Sequence, residues 1–171
     1  MLLLAVVAGA WLWQQPFAVV ARMSWKLMQL PAPTTITVPV QGIRPRQIGD
    51  TFGAPRGRDR RHQGVDIFAA RGTPVLAATQ GVVVAVRDKG LGGKQVWVMG
   101  PAGQRHYYAH LDDWVPGLAM GNLVQPGDML GVVGDTGNAK GTPPHLHYGI
   151  YGRDGPIDPL PLMHAANPGK R

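Results

Sequence analysis

Short runs of β-branched and aromatic residues alternate with glycine and proline along most of this chain. Over residues 65–111 the runs follow one another at a spacing near ten residues, and each is bounded by turn-forming residues. This spacing is typical of a compact antiparallel sandwich or barrel. The predicted strands are residues 65–68, 74–77, 81–86, 95–99, 105–111, 129–133 and 145–151. No long amphipathic helical pattern interrupts them, so we expect an all-β domain.

The N-terminal segment is apolar. Residues 2–13 form an unbroken apolar run of twelve, which is too short to span a bilayer but suits the apolar region of a signal peptide. If Gln14 and Gln15 are tolerated, residues 2–21 just reach the length of a membrane anchor. Arg22 and Lys26 follow the run and no basic residue precedes it, against the positive-inside bias. We therefore expect export, with residues 1–21 acting as either a signal peptide or a membrane anchor.

The rest of the chain divides into three parts. Pro31, Pro33 and Pro39 punctuate residues 22–45, which predicts an extended linker rather than a helix. The strand pattern occupies residues 46–162, and residues 163–171 are expected to be a flexible tail. An exported protein of this organisation is expected in the periplasm or cell envelope, anchored at the inner membrane if the first segment is retained.

Composition restricts the chemistry. The chain has no cysteine, which excludes disulfides and thiolate zinc sites. All ten acidic residues are Asp, and Glu is absent. The His-Glu-x-x-His type of metalloprotease, in which Glu is the general base, is therefore excluded. Any general base must be His or Asp.

The net charge of +7 indicates either a solvated basic surface or attraction to a polyanion. A basic cluster precedes His62 and consists of Arg44, Arg46, Arg56, Arg58, Arg60 and Arg61. It either lines an approach for substrate or forms a solvated loop. A nucleic-acid partner is not expected, because the cluster lacks the interleaved aromatic residues that stack on bases.

Two pairs of residues offer ligands for a borderline metal such as zinc. His145 and His147 are two positions apart in a predicted strand, so their side chains share a face together with Tyr151, opposite the apolar residues between them. His62 and Asp66 lie about eighty residues earlier, where a loop enters a strand. A metal here would join two distant strands of one fold.

Other readings of these side chains remain open at this point. A carboxylate in an apolar strand is costly unless it is paired or metal-bound, and Asp66 could instead pair with a nearby arginine. His110, which a regular strand places on the same face as Tyr108, is either structural or catalytic. His106 and His164 have no partner pattern, and we expect both at the surface.

The motifs, taken in order, resemble those of the lysostaphin/LytM-type zinc metallopeptidases. The resemblance covers about residues 48–159 and rests on His62-x-x-x-Asp66, Tyr-Ala-His-Leu at 108–111, Gly-Asp-Thr-Gly at 134–137 and Pro-His-Leu-His at 144–147. It implies a folded antiparallel sheet of the barrel-sandwich hybrid type, with zinc at the floor of a groove. It also implies hydrolysis of peptide bonds in peptidoglycan stem peptides or cross-links.

The resemblance also implies roles for individual residues. His62, Asp66 and His147 would hold one Zn²⁺ per chain, and His145 and His110 would be catalytic. Zinc-bound water would be the nucleophile, His145 the general base, and His110 would stabilise the oxyanion or help protonate the leaving amine. Peptidoglycan is then the expected partner, with membrane association through the N-terminal segment and no prediction of a protein partner.

Two other functions are also compatible with parts of the sequence. One is a non-catalytic module on the same scaffold that binds the cell wall or regulates a hydrolase; the presence of all five site residues favours the enzyme. The other is a lipoyl- or biotinyl-carrier domain, suggested by the glycine-rich hairpin of residues 127–137. That hairpin has no lysine at a clear tip, and a carrier leaves the His and Asp set unexplained.

Overall fold

The computed structural model describes residues 11–165, except Leu12 and Arg58. The first ten residues of the predicted signal or anchor segment, Arg58 of the basic cluster, and residues 166–171 of the predicted tail lie outside the described residues.

Helix α1 covers Pro16–Met28, and a short helix α2 covers Leu160–Ala165 near the end of the described chain. The strands are β1 (Pro55–Arg56), β2 (Arg60–Arg61), β3 (Val65–Phe68), β4 (Pro74–Leu76), β5 (Gly81–Asp88), β6 (Lys94–Met99), β7 (Arg105–Trp114), β8 (Leu123–Val124), β9 (Met129–Val133), β10 (His145–Gly152) and β11 (Gly155–Ile157). Every predicted strand is present, because each is a β-branched or aromatic run between turn residues.

Nine of these strands form one sheet, in which all pairs are antiparallel. The main path runs β11-β10-β7-β6-β5-β8, with β3 added at β10, and β9 joining β7 to β4. Strands β1 and β2 form a separate hairpin. Within the described residues the sheet is folded but does not close into a barrel. The expected antiparallel all-β class of the domain is confirmed.

Strand β10 shows how the alternating pattern divides core from site. Leu146, Tyr148 and Ile150 have no exposed surface, and they pack in the main apolar core with Val65 and Ile67 of β3. Because side chains alternate across a strand, His145 and His147 lie on the opposite face. The apolar residues therefore fix which face of β10 carries the two imidazoles.

The N-terminal part of the predicted linker is helical, contrary to the expectation of an extended stretch. Pro16 stands in the first turn of α1, where its missing N–H costs nothing. The helix continues to Met28 and stops before Pro31, which cannot extend it. The proline spacing at 31–39 was informative only for the residues after the helix.

The remainder of the predicted linker packs against the sheet. Ile36 and Val40 are buried in the main core, and Val40 forms an isolated antiparallel bridge with Val75 of β4. The backbone N–H of Thr37 donates to the carbonyl of Ala78 at 3.1 Å. The segment is extended, as expected from its prolines, and it contributes to the domain interior.

Among the described helices, α1 included, none combines the length and the apolar character that crossing a bilayer requires.

Candidate metal centre

Three potential metal ligands meet on neighbouring strands. Asp66 of β3 and His147 of β10 are directly opposite each other in the antiparallel register, so their side chains project side by side. His62 comes from the segment between β2 and β3. Nε2 of His62 lies 2.8 Å from Nδ1 of His147, and each of these nitrogens lies 3.1 Å from Oδ1 of Asp66.

The three donor atoms match a tetrahedral zinc site in type and spacing. Zinc takes His nitrogen and carboxylate oxygen at about 2.0–2.2 Å, so two ligand atoms of a tetrahedral site lie about 3.3 Å apart. The observed separations of 2.8–3.1 Å are close to this edge. His62, Asp66 and His147 are the residues in the described chain that form such a group. The donor set therefore fits zinc.

Gly64 allows this close approach. A Cβ at this position would lie 2.4 Å from the carbonyl oxygen of Tyr148 and 3.0 Å from Cε1 of His147. Only glycine lets the chain between His62 and Asp66 pass this close to β10. The Gly in His-Gln-Gly-Val-Asp is thus required by packing against the site.

Backbone carbonyls select the tautomers of three histidines. Nδ1 lies 2.8 Å from the carbonyl oxygen of Thr51 in His62, of Thr136 in His110, and of Pro143 in His145. A carbonyl can only accept, so Nδ1 of each neutral ring carries the proton and donates. Nε2 of each ring is left with a free lone pair, which is the atom needed for a ligand or a base.

His110 reaches the groove through an irregularity in β7. Its φ is +65°, a conformation that non-glycine residues rarely adopt, and the register of β7 shifts near this position. The expectation that His110 shares the face of Tyr108 is wrong. Tyr108 is fully buried, and its hydroxyl accepts from the N–H of Ala78 at 3.0 Å.

The turned His110 lies beside the other two site histidines. Its ring centroid is 5.1 Å from that of His145 and 6.0 Å from that of His147. Nε2 of His145 is 4.0 Å from Oδ1 of Asp66. All five residues identified from the sequence therefore line one groove.

Burial and hydrogen bonding set the charges of the site. Burial alone would raise the pKa of Asp66, but the contacts of its carboxylate with His147, His62 and Arg56 outweigh burial and hold that pKa well below its usual range. Burial lowers the pKa of His110 to about 4 and also lowers the pKa of His147. At neutral pH Asp66 is thus a carboxylate and both of these imidazoles are neutral, the forms that bind metal.

Arg56 contacts the metal-ligand candidate directly. Its guanidinium pairs with Oδ2 of Asp66, while Oδ1 faces the two histidines. The sequence left two roles open for Asp66, an ion pair with an arginine and a place beside the histidines as a metal ligand. In the structure its two oxygens make both contacts at once. Arg60 and Arg61 also line the groove, whereas Arg44 and Arg46 are exposed elsewhere. The basic cluster is thus divided between the groove and the solvent.

The groove has a volume of about 610 Å³, within the range of sites that enclose small ligands. Residues of the β1–β2 hairpin and of the segment that follows it line the groove. Leu91, Gly92, Asn138, Ala139 and Thr142 also line it. These loop residues are uncharged.

Tyr107 is a groove residue that the sequence analysis missed. Its ring lies edge-on to His147, with centroids 5.7 Å apart, and stacks on Trp97 at 4.3 Å. Burial and the neighbouring Tyr151 raise the pKa of Tyr107 to about 12, so its hydroxyl stays protonated. The alternation that buries Tyr108 would have placed Tyr107 on the site face. Tyr151, predicted to share the face of the two histidines, does line the groove.

The expected surface position is wrong for His106 and confirmed for His164, which is exposed. His106 has no exposed surface, and its Nδ1 lies 2.7 Å from the hydroxyl of Tyr148. Burial lowers the pKa of His106 to about 4. Tyr148, whose hydroxyl contacts His106, is 42 residues away in sequence, so no local pattern indicated the pairing.

Comparison with known proteins gives a consistent result. Residues 60–159 match peptidase family M23. The chain is 38% identical over 126 residues to the L-Ala–D-Glu endopeptidase of Bacillus subtilis, an alignment that covers 67% of this chain and 39% of that protein. It is 31% identical over 120 residues to the peptidoglycan DD-endopeptidase ShyB of Vibrio cholerae, covering 67% of this chain and 27% of the relative.

Among solved structures, the catalytic domain of lysostaphin from Staphylococcus simulans is similar with a TM-score of 0.61 and 31% identity. The match covers 68% of this chain and 91% of that domain. The chain thus corresponds to nearly all of an isolated catalytic domain, but to well under half of the length of the two full-length relatives.

Proposed function

The chain belongs to peptidase family M23, and on this premise we propose that it is a zinc-dependent endopeptidase that hydrolyses peptide bonds in peptidoglycan stem peptides or cross-links. Residues 46–162 would form the catalytic domain. The proposal places the protein outside the cytoplasm, in the periplasm or cell envelope, where this substrate lies. The names of the two endopeptidase relatives support the substrate class.

The observation that carries the proposal is the meeting of five groups in one groove. Two imidazole nitrogens and one carboxylate oxygen lie within 2.8–3.1 Å of one another, and two more imidazoles stand beside them. A structural histidine needs one hydrogen-bond partner, and such a role does not account for three histidines around one groove whose Nδ1 atoms all lie on backbone carbonyls. A catalytic metal centre with two adjacent bases does.

His62, Asp66 and His147 would hold one zinc ion. When bound, zinc acts as a Lewis acid and lowers the pKa of a coordinated water to about 7. Three protein ligands, rather than four, leave a coordination position open for catalysis. The hydrogen bond from His62 to Thr51 and the ion pair from Arg56 to Asp66 would hold two of the ligands in place.

His145 would act as the general base. Its Nδ1–H is held by the carbonyl of Pro143, so Nε2 can accept a proton from the attacking water. The protonated ring can then donate that proton to the leaving amine, which completes the cycle without a second acid. No Glu is available for this role in the chain, so a neutral imidazole is the natural base.

His110 would be the second catalytic histidine. The hydrogen bond to Thr136 presents Nε2 of the neutral ring as an acceptor. It can therefore orient the attacking water in its resting form, and it can donate to an oxyanion or a leaving amine only after gaining a proton. This order of events refines the role expected from the family resemblance.

The groove chemistry also suits the substrate. Arg60 and Arg61 line the groove, and their charge would attract an anionic polymer. The net charge of +7 acts in the same direction. Substrate approach from the side of the β1–β2 hairpin is the expected consequence.

Metal analysis and peptidoglycan digestion with the full chain, loaded with zinc, test the proposal. We expect about one zinc per chain by metal analysis and release of shortened peptides from purified peptidoglycan, detected by chromatography and mass spectrometry. Removal of zinc by a chelator should abolish the release, and added zinc should restore it. A chain that holds zinc but cleaves no peptidoglycan of any cross-link type would contradict the proposal and favour a wall-binding or regulatory module.

A further inference from the structure

Helix α1 exposes an apolar stripe, whose last residue, Met28, packs beside Gly103 of the domain. The stripe consists of Phe17, Ala21, Trp25 and Met28, all exposed, and the three large side chains are 51–66% accessible. With about 100° of rotation per residue, the four positions fall within about 80° of the helix circumference. We call this set the α1 stripe.

The opposite side of α1 holds the helix on the domain. Leu27 is 4% exposed, and the N–H of Ala102 donates to the carbonyl of Leu30, just after the helix, at 3.2 Å. At the other end of the helix, Pro16 lies against Gly121. Both ends are in contact with the domain, so Phe17, Ala21 and Trp25 face outward from a helix that lies along the protein surface, and Met28 stays half-exposed beside Gly103.

The charges beside the stripe are all positive. Arg22 and Lys26 occupy the next part of the helix circumference, and the first acidic residue of the chain is Asp50. Arg22 also lies over the ring of Trp13, a second exposed tryptophan of this region. Aromatic residues beside basic ones, with no acidic residue, form the pattern of helices that lie in the interface of an anionic membrane.

We propose that the α1 stripe docks on the surface of an anionic lipid bilayer, with α1 lying in the plane of the interface. The tryptophan and phenylalanine rings would enter the boundary between headgroups and acyl chains, and Arg22 and Lys26 would contact acidic headgroups. A second copy of this chain is a poor occupant, because two such faces would bring like charges together. A bilayer offers both the apolar layer and the negative charge.

This orientation leaves the groove accessible. The α1 helix is held at the turn between β6 and β7 that contains Ala102, whereas the groove is bordered by Leu91 and Gly92 at the other end of β6. From Arg105 to His110 along β7 the chain covers about 17 Å at about 3.3 Å per residue. The docked face and the catalytic residues therefore belong to opposite ends of the β6–β7 pair.

The absence of cysteine allows a direct test with the full chain. Single cysteines replace exposed residues of the stripe (Phe17→Cys, Ala21→Cys, Trp25→Cys, Met28→Cys) or the exposed Gln29 just beyond it (Gln29→Cys), and Leu91→Cys provides a control at the groove. Each carries an environment-sensitive fluorophore, and nitroxide lipids in phosphatidylcholine vesicles with about 30% phosphatidylglycerol act as quenchers.

We expect the quenching to depend on which face of the helix carries the label. The four stripe labels should be quenched at least about threefold more than the label at Gln29, and the Leu91 label should not respond. A steady change of quenching from position 17 to position 28 would show a spanning helix and overturn the proposal. So would no quenching at any stripe position, or a blue shift without vesicles that grows with protein concentration, which indicates self-association.

Two double substitutions, each removing two positive charges, test whether the basic residues of α1 are needed for docking. In the Ala21→Cys background, Arg22→Gln with Lys26→Gln should reduce quenching by an order of magnitude or more, because each surface cation contributes about fivefold to binding of anionic lipid. Arg87→Gln with Lys89→Gln removes the same charge from exposed residues at the far end of β5 and should change quenching less than about twofold. Equal effects of the two pairs, or equal quenching in vesicles without phosphatidylglycerol, would contradict the assignment.

Discussion

Nε2 of His62 and Nδ1 of His147 lie 2.8 Å apart, although 85 residues separate them in the chain. The antiparallel pairing of β3 with β10 produces this contact, because it sets Asp66 opposite His147 and brings the preceding loop with it. One carboxylate oxygen and two nitrogens then share a space that suits a single metal ion. Single substitutions can separate the groups proposed to hold the metal from those proposed to act on the substrate.

His147→Ala should lose zinc. The substitution would remove one of the three proposed ligands, and a pair of protein ligands does not retain zinc at the affinity of a catalytic site. We expect the zinc content to fall from about one per chain to near zero after dialysis, with activity lost in parallel. His164→Ala, at an exposed histidine away from the groove, is the control and should behave as the unmodified chain. Retention of stoichiometric zinc by His147→Ala would remove it from the ligand set.

His145→Ala should retain zinc and lose activity. Its Nδ1 is bound to a backbone carbonyl and its Nε2 is 4.0 Å from Asp66 Oδ1, and in the proposed mechanism it acts as a base rather than a ligand. Loss of a general base costs about 10²–10⁴ in kcat, with zinc affinity expected within about threefold of the unmodified chain. Steady-state kinetics on a soluble peptide substrate and chelator competition give the two values. An active His145→Ala chain would show that another group is the base.

Arg56→Gln should weaken zinc binding. The guanidinium holds Oδ2 of Asp66 while Oδ1 faces the histidines, and outer-shell partners of this kind contribute about 10–100-fold to metal affinity. Competition with a chromogenic chelator measures the change. Arg60→Gln provides the matched control, since Arg60 lines the same groove. An affinity for zinc that is the same in both variants would show that Arg56 does not orient the ligand.

Acid should destabilise the fold through His106. Its pKa in the folded protein is about 4, below the unfolded value of about 6.5, so the unfolded chain binds more protons between these pH values. The free energy of unfolding is therefore unaffected by His106 above about pH 6.5 and falls as the pH drops toward 4. At pH 5 the loss amounts to about 2 kcal/mol for this group.

His106→Gln isolates that contribution. The amide can still bond to the hydroxyl of Tyr148 but does not titrate. In urea unfolding of the chelator-treated chain, the decrease in the free energy of unfolding from about pH 7.5 to about pH 5 should be smaller by about 2 kcal/mol in this variant. His164→Gln should show the full decrease. Equal decreases in all three chains would mean that His106 is not held neutral by burial.

The strand pattern and the donor set could be predicted from the sequence because both are local. Alternation along β10 separates Leu146 and Tyr148 from His145 and His147 through the period-two geometry of any strand. The chemistry of imidazole and carboxylate, in a chain without Cys or Glu, similarly restricts the metal and the base. Motif order then indicated which residues belong together, and the structure brings all five into one groove.

Other features depended on contacts that no local pattern contains. The sequence predicts His106 at the surface, but the residue is buried and its ring nitrogen contacts the hydroxyl of Tyr148. His110 was placed with Tyr108 by regular alternation, and its positive φ reverses that placement. Arg56 was one of six clustered arginines, and only the folded hairpin brings its guanidinium to Asp66. In each case the partner lies on another strand or depends on a local break in the strand.

The amino-acid sequence by itself determined the antiparallel class, the faces of the strands and the kinds of atoms available for a metal, because periodicity and side-chain chemistry are properties of short segments. The tertiary structure decided which nitrogens face the groove, which arginine holds the carboxylate and how closely the three donors approach. These depend on strand register and on carbonyls of distant residues, such as Thr51 beside His62 and Thr136 beside His110. Long-range hydrogen bonds set these positions, and they exist only once the sheet has formed.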